Sequence, residues 1–227
     1  PHMRILITAA EEEELITARQ AFNSLSKSEQ NALDITYMLT GIGTTSTSYR
    51  LTKMLTESNP PFALALNIGI AGSFSDEYPI GSDARVEKEF FGDLGFETYS
   101  GFQTLFDYKI LDADTYPYKG GALIAPTLSA EAESVLKQYG SAAAVTVQTV
   151  SGLPEKKVQL QHDFKPQIES MEGAAFFYVC LLERIPFAEL RSVSNEVGER
   201  DRGKWNIPLA LSSLRDAVRN LMEAIAK

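Results

Sequence analysis

The chemistry in this 227-residue chain concentrates between positions 169 and 202, which read ESMEGAAFFYVCLLERIPFAELRSVSNEVGERDR. An acidic pair, Glu169 and Glu172, opens an apolar helical stretch. An apolar strand follows and runs into Ser194, Asn195 and Glu196. A carboxylate offers two acceptor oxygens and suits a vicinal pair of hydroxyls, as on a sugar. A carboxamide both donates and accepts, which matches the edge of a heterocyclic base. Glu172, between Met171 and Gly173, therefore reads as a sugar ligand, against the plainer reading of a solvated first-turn glutamate. Asn195 reads as a base ligand, against the plainer reading of a loop cap.

A second acidic group occupies positions 11–14, four consecutive glutamates directly after the first apolar run. Ligands in open α/β sheets collect at the carboxyl ends of strands, so one of these acids is expected in a cleft. The others favour a helix N-terminus, where carboxylates meet the positive end of the dipole. Two glycine pairs, Gly41 with Gly43 and Gly69 with Gly72, read as tight turns after apolar strands. Such turns bring backbone N–H groups close to an anion or a sugar edge. Neither carries the spacing of a dinucleotide fingerprint or a phosphate-loop lysine.

The elements that must position these residues follow from periodicity. Strands are expected at 4–8, 34–39, 62–68, 83–89, 142–150 and 190–194. Helices are expected to start at 11–14 and to cover 46–55, 131–139 and 171–182. A last helix is capped by Asn206, with Pro208 in its first turn and Leu211, Leu214, Val218, Leu221 and Ile225 as its apolar stripe. Continuous apolar strands alternating with helices indicate a three-layer α/β fold, with helices on both faces of a mixed sheet. Residues 93–119, rich in aromatics, glycine and acids, read as an excursion that lines a pocket or meets a partner subunit.

Composition narrows the function. The formal charge of -9 and the lack of a basic stripe weigh against nucleic acid and anionic membranes. No stretch approaches the ~18 apolar residues of a membrane span. One cysteine, Cys180, fits a reducing, cytoplasmic setting. With His2 set aside, as Pro1 and His2 read as an expression remnant ahead of Met3, His162 is the one remaining histidine, and a histidine-based zinc site is not expected. A single domain is expected over residues 3–227.

Four segments carry a family resemblance: NIGIAG at 67–72, EKEFFGDLG at 87–95, ESMEGAA at 169–175, and RSVSNEVG at 191–198 with Trp205 behind it. On these the chain resembles the nucleoside phosphorylase and nucleosidase superfamily, and within it the futalosine hydrolases, over nearly its whole length. The resemblance implies an α/β domain around a mixed, twisted sheet, a homo-oligomer, a purine nucleoside as substrate, and no metal or organic cofactor. It implies that Glu14 positions or activates water, with Glu13 an alternative within the run. It further implies that Glu172 holds the ribose hydroxyls with Met171 beside the sugar. Gly72, Val150 and Ser151 would complete the substrate site.

Asn195 stands where adenosine-type relatives carry an aspartate, and an amide with no dissociable proton favours a 6-oxopurine leaving group. Related phosphorylases place an arginine just before the second glycine turn; Leu66, Asn67, Ile68 and Gly69 supply no cation there, so water is the expected nucleophile. The implied reaction is hydrolysis of futalosine to hypoxanthine and dehypoxanthine futalosine in menaquinone biosynthesis. The alternatives are a methylthioadenosine/S-adenosylhomocysteine nucleosidase, a phosphorylase, or a non-catalytic nucleoside-binding protein. Phe90, Phe91, Phe164 and Trp205 are candidates to cover the base. Arg85, Lys88, Arg200 and Arg202 are candidates to meet the substrate carboxylate.

Overall fold

In a computed structural model that describes residues 2–227, strand β1 (Met3–Ala9) sends Ile5 and Ile7 into one core and Leu6 into another. That alternation between two dry faces is why the strand reads as a continuous apolar run. Helix α1 (Glu12–Asn23) follows, then α2 (Lys27–Ala32), β2 (Leu33–Leu39), α3 (Thr44–Glu57) and β3 (Leu64–Ser73). Next come β4 (Asp83–Phe91), the hairpin β5 (Gly95–Thr98) and β6 (Gly101–Thr104), β7 (Leu123–Ile124), α4 (Ala130–Leu136) and β8 (Ala142–Thr146). The chain finishes with α5 (Pro154–Phe164), β9 (Ile168–Ser170), α6 (Gly173–Glu183), β10 (Phe187–Glu196) and α7 (Ile207–Ile225).

The sheet is mixed and partly closed. β2, β1 and β3 run parallel. Beyond them β3 pairs in parallel with β10, β10 antiparallel with β4, and β4 in parallel with β8. β8 then pairs in parallel with β9, whose other edge returns antiparallel to the end of β3. Five strands thus complete a circuit (β3-β10-β4-β8-β9). Helices α1, α4 and α7 pack over one face around Leu15, Ala18, Leu136, Leu214 and Val218. Helices α3 and α6 cover the other around Leu51, Leu55, Phe176 and Phe177. In α7 the Asn206 side chain accepts from Leu209 N at 3.1 Å, and Leu214, Val218 and Leu221 are buried as the stripe requires.

Several expectations need correction. Gly69 to Gly72 is not a turn: all four residues lie within β3, in register with β10 through Arg191 opposite Gly69 and Asn195 opposite Gly72. Glycine at 69 serves close approach instead. A Cβ there would sit 2.6 Å from Glu14 Oε2 and would collide with Arg191 Nη1. β10 is longer than expected and contains Asn195, just past a register shift between Val193 and Asn195. β8 ends at Thr146, which leaves Val150 and Ser151 in a loop. α6 begins at Gly173, so Met171 and Glu172 precede it. Helices α2 and α5 and the short strands β7 and β9 lacked a periodic signal of their own.

Gly69→Ala is expected to lower unfolding stability by about 1–3 kcal/mol in denaturant titration, the usual cost of forcing a methyl into a filled interior. A wild-type midpoint in that variant would mean that Glu14 and Arg191 have room to withdraw.

Candidate active site

At the carboxyl ends of β1, β3 and β10 lies a cleft enclosing about 710 Å³ including its open mouth. Glu14, Gly72, Val150, Met171, Glu172 and Asn195 all line it. Ser151 does not; its Oγ and N donate to Glu169 at 2.5 and 3.1 Å, which ties the 147–153 loop to β9. Glu13 is exposed and points to a different surface groove; of the acidic run, Glu11 and Glu14 line the cleft, and Glu14 is the buried one.

Glu14 is placed by its helix. Glu11 N donates to Glu14 Oε1 at 3.1 Å, the side-chain half of a capping box. Its other oxygen accepts from Ile70 N at 2.8 Å. Burial in the cleft wall pushes its pKa up to about 7, although Arg191 and the Ile70 N–H favour the anion. Glu172 also lines the cleft, where Gly43 N donates to Oε2 at 3.1 Å and Arg191 Nη1 approaches Oε1 at 3.4 Å. Gly43 has φ +90°, so this glycine turn does present a backbone N–H to an anion, and the anion is the protein's own carboxylate.

Arg191 also lines the cleft, a position that the sequence pattern does not single out. Its guanidinium is buried, with Nε donating to Glu189 at 2.8 Å and Nη1 to Ile70 O at 3.3 Å. Burial alone favours the neutral form, but Glu189, Glu172 and Glu14 more than offset it and hold the charge on. A signal existed: Glu189 and Arg191 are opposite charges two apart in a strand, hence on one face. The cleft therefore does contain a cation, contributed by β10 and not by the 66–69 segment.

Asn195 is buried, and its amide is oriented by its neighbours. Ser194 Oγ donates to Oδ1 at 2.8 Å, and Nδ2 donates to Glu196 O at 2.9 Å, which leaves the second amide hydrogen free. Among the four aromatic candidates Trp205 lines the cleft. Phe90 packs on Phe164 at 5.3 Å and Phe91 on Tyr178 at 6.3 Å. Arg85 is committed to Glu133 through two bonds of 2.5 and 2.9 Å. Arg200 and Arg202 lie over Trp205, at 5.5 and 5.6 Å from its ring centre. Residues 93–119 contribute nothing to the cleft wall.

A sheet that gathers buried acids and a guanidinium at one cleft defines an enzyme. Residues 5–227 match the family model described as the phosphorylase superfamily, and the chain belongs to that superfamily. It is 33% identical over 188 residues to the futalosine hydrolase of Thermus thermophilus, covering 82% of this chain and 80% of that protein. It is 34% identical over 162 residues to the futalosine hydrolase of Streptomyces coelicolor, covering 71% of this chain and 66% of that protein. Among solved structures, the futalosine hydrolase of Helicobacter pylori superposes with a TM-score of 0.77 at 16% identity, over 97% of both chains. A 5′-methylthioadenosine/S-adenosylhomocysteine nucleosidase from Colwellia psychrerythraea, in complex with adenine, superposes with a TM-score of 0.76 at 18% identity, over 99% of this chain and 96% of that one. At such identities the structural matches speak to the fold.

The Glu14 carboxyl is expected to titrate near pH 7 in a ¹³C carboxyl NMR experiment. Because its folded-state pKa lies above the ordinary 4.5, its contribution to stability is full below about pH 4.5 and is lost as pH rises through about 7. A midpoint near 4.5 would show that the carboxyl is solvated.

Proposed function

We propose that the protein hydrolyses the N-glycosidic bond of a purine nucleoside, and that the nucleoside is futalosine, giving hypoxanthine and dehypoxanthine futalosine for menaquinone biosynthesis. The observation that carries this reading is Asn195, an amide in the cleft with a free donor hydrogen and no dissociable proton. An adenine leaving group is best served by a proton delivered to N7. Hypoxanthine presents acceptors at O6 and N7 that a neutral amide can meet. The Thermus thermophilus and Streptomyces coelicolor relatives are both futalosine hydrolases, which supports the same choice.

In this mechanism the C1′–N9 bond lengthens first, and the ribose acquires oxocarbenium character. Glu172, held by Gly43 N and Arg191, accepts from the ribose hydroxyls and its charge favours the developing cation. Met171 packs beside the sugar, and Trp205 offers the base an aromatic face. Glu14 takes the proton from the attacking water, a role with a pKa suited to neutral pH. Asn195 stabilises the departing base, with Val150 on the same cleft wall.

Water is favoured over phosphate by charge. Arg191 is already faced by Glu189, Glu172 and Glu14, so an entering dianion would meet carboxylates before it met an unengaged cation. Cleavage of methylthioadenosine is the second reading. It draws on a methylthioadenosine/S-adenosylhomocysteine nucleosidase of Maridesulfovibrio salexigens, 26% identical over 215 residues, 87% of each chain. The proposal also includes a homo-oligomer, supported by the exposed Tyr99, Ile110 and Tyr116 of the 93–119 excursion; a monomer mass in light scattering would remove that part.

In phosphate-free buffer, hypoxanthine release from futalosine is expected to exceed base release from 6-amino-deoxyfutalosine and methylthioadenosine. Glu14→Gln should lower turnover by about 10²–10⁴-fold while nucleoside binding persists in calorimetry. Asn195→Asp should shift preference toward the 6-amino substrates by about tenfold or more. Dependence on added phosphate, or a Glu14→Gln variant with full turnover, would defeat the reading.

A further inference from the structure

Below the cleft, inside the closed part of the sheet, lie two carboxyl groups that the mechanism above does not use. Glu89 on β4 and Glu189 on β10 are both fully buried. They meet under the first residue of α6: a Cβ on Gly173 would collide with Glu89 Oε1 and sit 2.7 Å from Glu189 Oε1. Each acid has one oxygen well satisfied. Glu189 Oε1 accepts from Arg191 Nε at 2.8 Å and from Asn67 Nδ2 at 3.1 Å. Glu89 Oε2 accepts from Thr146 Oγ1 at 2.8 Å, and that hydroxyl in turn accepts from Ala174 N at 2.8 Å. The remaining oxygens, Glu89 Oε1 and Glu189 Oε2, have no hydrogen-bond partner.

Two buried acceptors without donors are costly, and two adjacent anions are costlier still. A shared proton removes the repulsion and turns Glu89 Oε1 from an unpaired acceptor into a donor, because a carboxylic acid donates to a carboxylate. The surrounding donors decide which acid carries it. Glu189 faces a guanidinium and an amide N–H, both of which favour the anion. Glu89 faces one hydroxyl, and burial together with the neighbouring Glu189 charge disfavours its ionisation. The Asn67 amide is itself fixed, since Thr8 Oγ1 donates to its Oδ1 at 3.1 Å. Every donor around the pair is thereby oriented, from β1, β3, β8 and β10.

We propose that Glu189 is a positioning residue for the reaction: as an anion, bonded to a protonated Glu89, it holds the Arg191 guanidinium at the angle that brings Nη1 to Glu172 and Ile70. Arg191 Nη2 is buried and without a partner, so the clamp on Nε governs where the rest of the group lies. Glu172 precedes Gly173 directly, so the acid pair and the sugar-binding carboxylate share one backbone turn. The charged groups that face this unit are Arg191, Glu172 and Glu14. This inference rests on the nucleosidase reading of the cleft for its kinetic consequences alone.

The test compares two isosteric variants. Glu89→Gln keeps a donor toward Glu189 and should retain at least a third or so of wild-type kcat. Glu189→Gln removes the anion and should lower kcat by about tenfold to a hundredfold with little change in KM, as expected when a group is displaced slightly from its working geometry. Loss of that anion also leaves Arg191 acting more strongly on Glu14, so the acidic limb of kcat/KM should move to lower pH. Thermal unfolding of both variants checks that each is folded. Equal losses in the two variants, or a Glu189→Gln enzyme with unshifted acidic limb, would overturn the proposal.

Two readouts stand apart from turnover. At about pH 9, where Glu14 with its pKa of about 7 is ionised, the wild-type infrared spectrum should still contain a protonated carboxyl band that Glu89→Gln removes. The Glu14 ¹³C titration should shift downward in Glu189→Gln. If the wild type cleaves no nucleoside, the cleft reading fails, yet absence of the band or of the shift still refutes the shared proton and its coupling to the site.

Discussion

One buried positive charge organises this molecule. Arg191 lies inside the curved sheet with Glu189 on its Nε, Glu172 beside Nη1 and Glu14 across Ile70. A guanidinium removed from water is tolerable when its partners are close and well oriented, and the same holds for each carboxylate it faces. The balance is local and sets the protonation of the whole group. Burial pushes Glu14 upward while Arg191 restrains it, and the outcome near 7 is where a proton acceptor works best. Moving any member of the set changes the others.

The scaffold meets this requirement through glycines as much as through side chains. Gly69 leaves the space that Glu14 and Arg191 fill, Gly173 leaves the space for Glu89 and Glu189, and Gly43 bends to offer its N–H to Glu172. Each of the first two positions is taken up by polar atoms, which explains how a sheet lined by Ile68, Leu190 and Val145 still admits ionisable groups. The cores on either face stay apolar and hold the strands at fixed spacing. The polar set gathers at the circuit of five strands, joined by Glu14 from α1 and Glu172 just ahead of α6.

Much of this was legible in the chain itself. The α/β alternation, the mixed sheet, the Asn206-capped helix and the convergence of Glu14, Met171, Glu172 and Asn195 follow from local pattern and family motif. What escaped was decided by distant pairing. Gly69 and Gly72 look like turn residues until β10 and β9 are seen to pair alongside them. β9, three residues long, has no periodicity to read. Glu89 is one of several charges in β4, and Glu189 and Arg191 are ordinary charges in β10; they acquire meaning when the two strands lie side by side. Trp205 was separable from Phe90, Phe91 and Phe164 through tertiary packing alone.

The irregularity in β10 between Val193 and Asn195 has an evolutionary corollary. Side chains alternate along a strand, and one extra residue reverses which of them turns inward. The amide proposed to face the purine thus sits on a short offset whose backbone bonds do not depend on its identity. Leaving-group preference can then diverge between related proteins by exchange of that one side chain, with Arg191 earlier on the same strand, and everything the arginine holds, left in place.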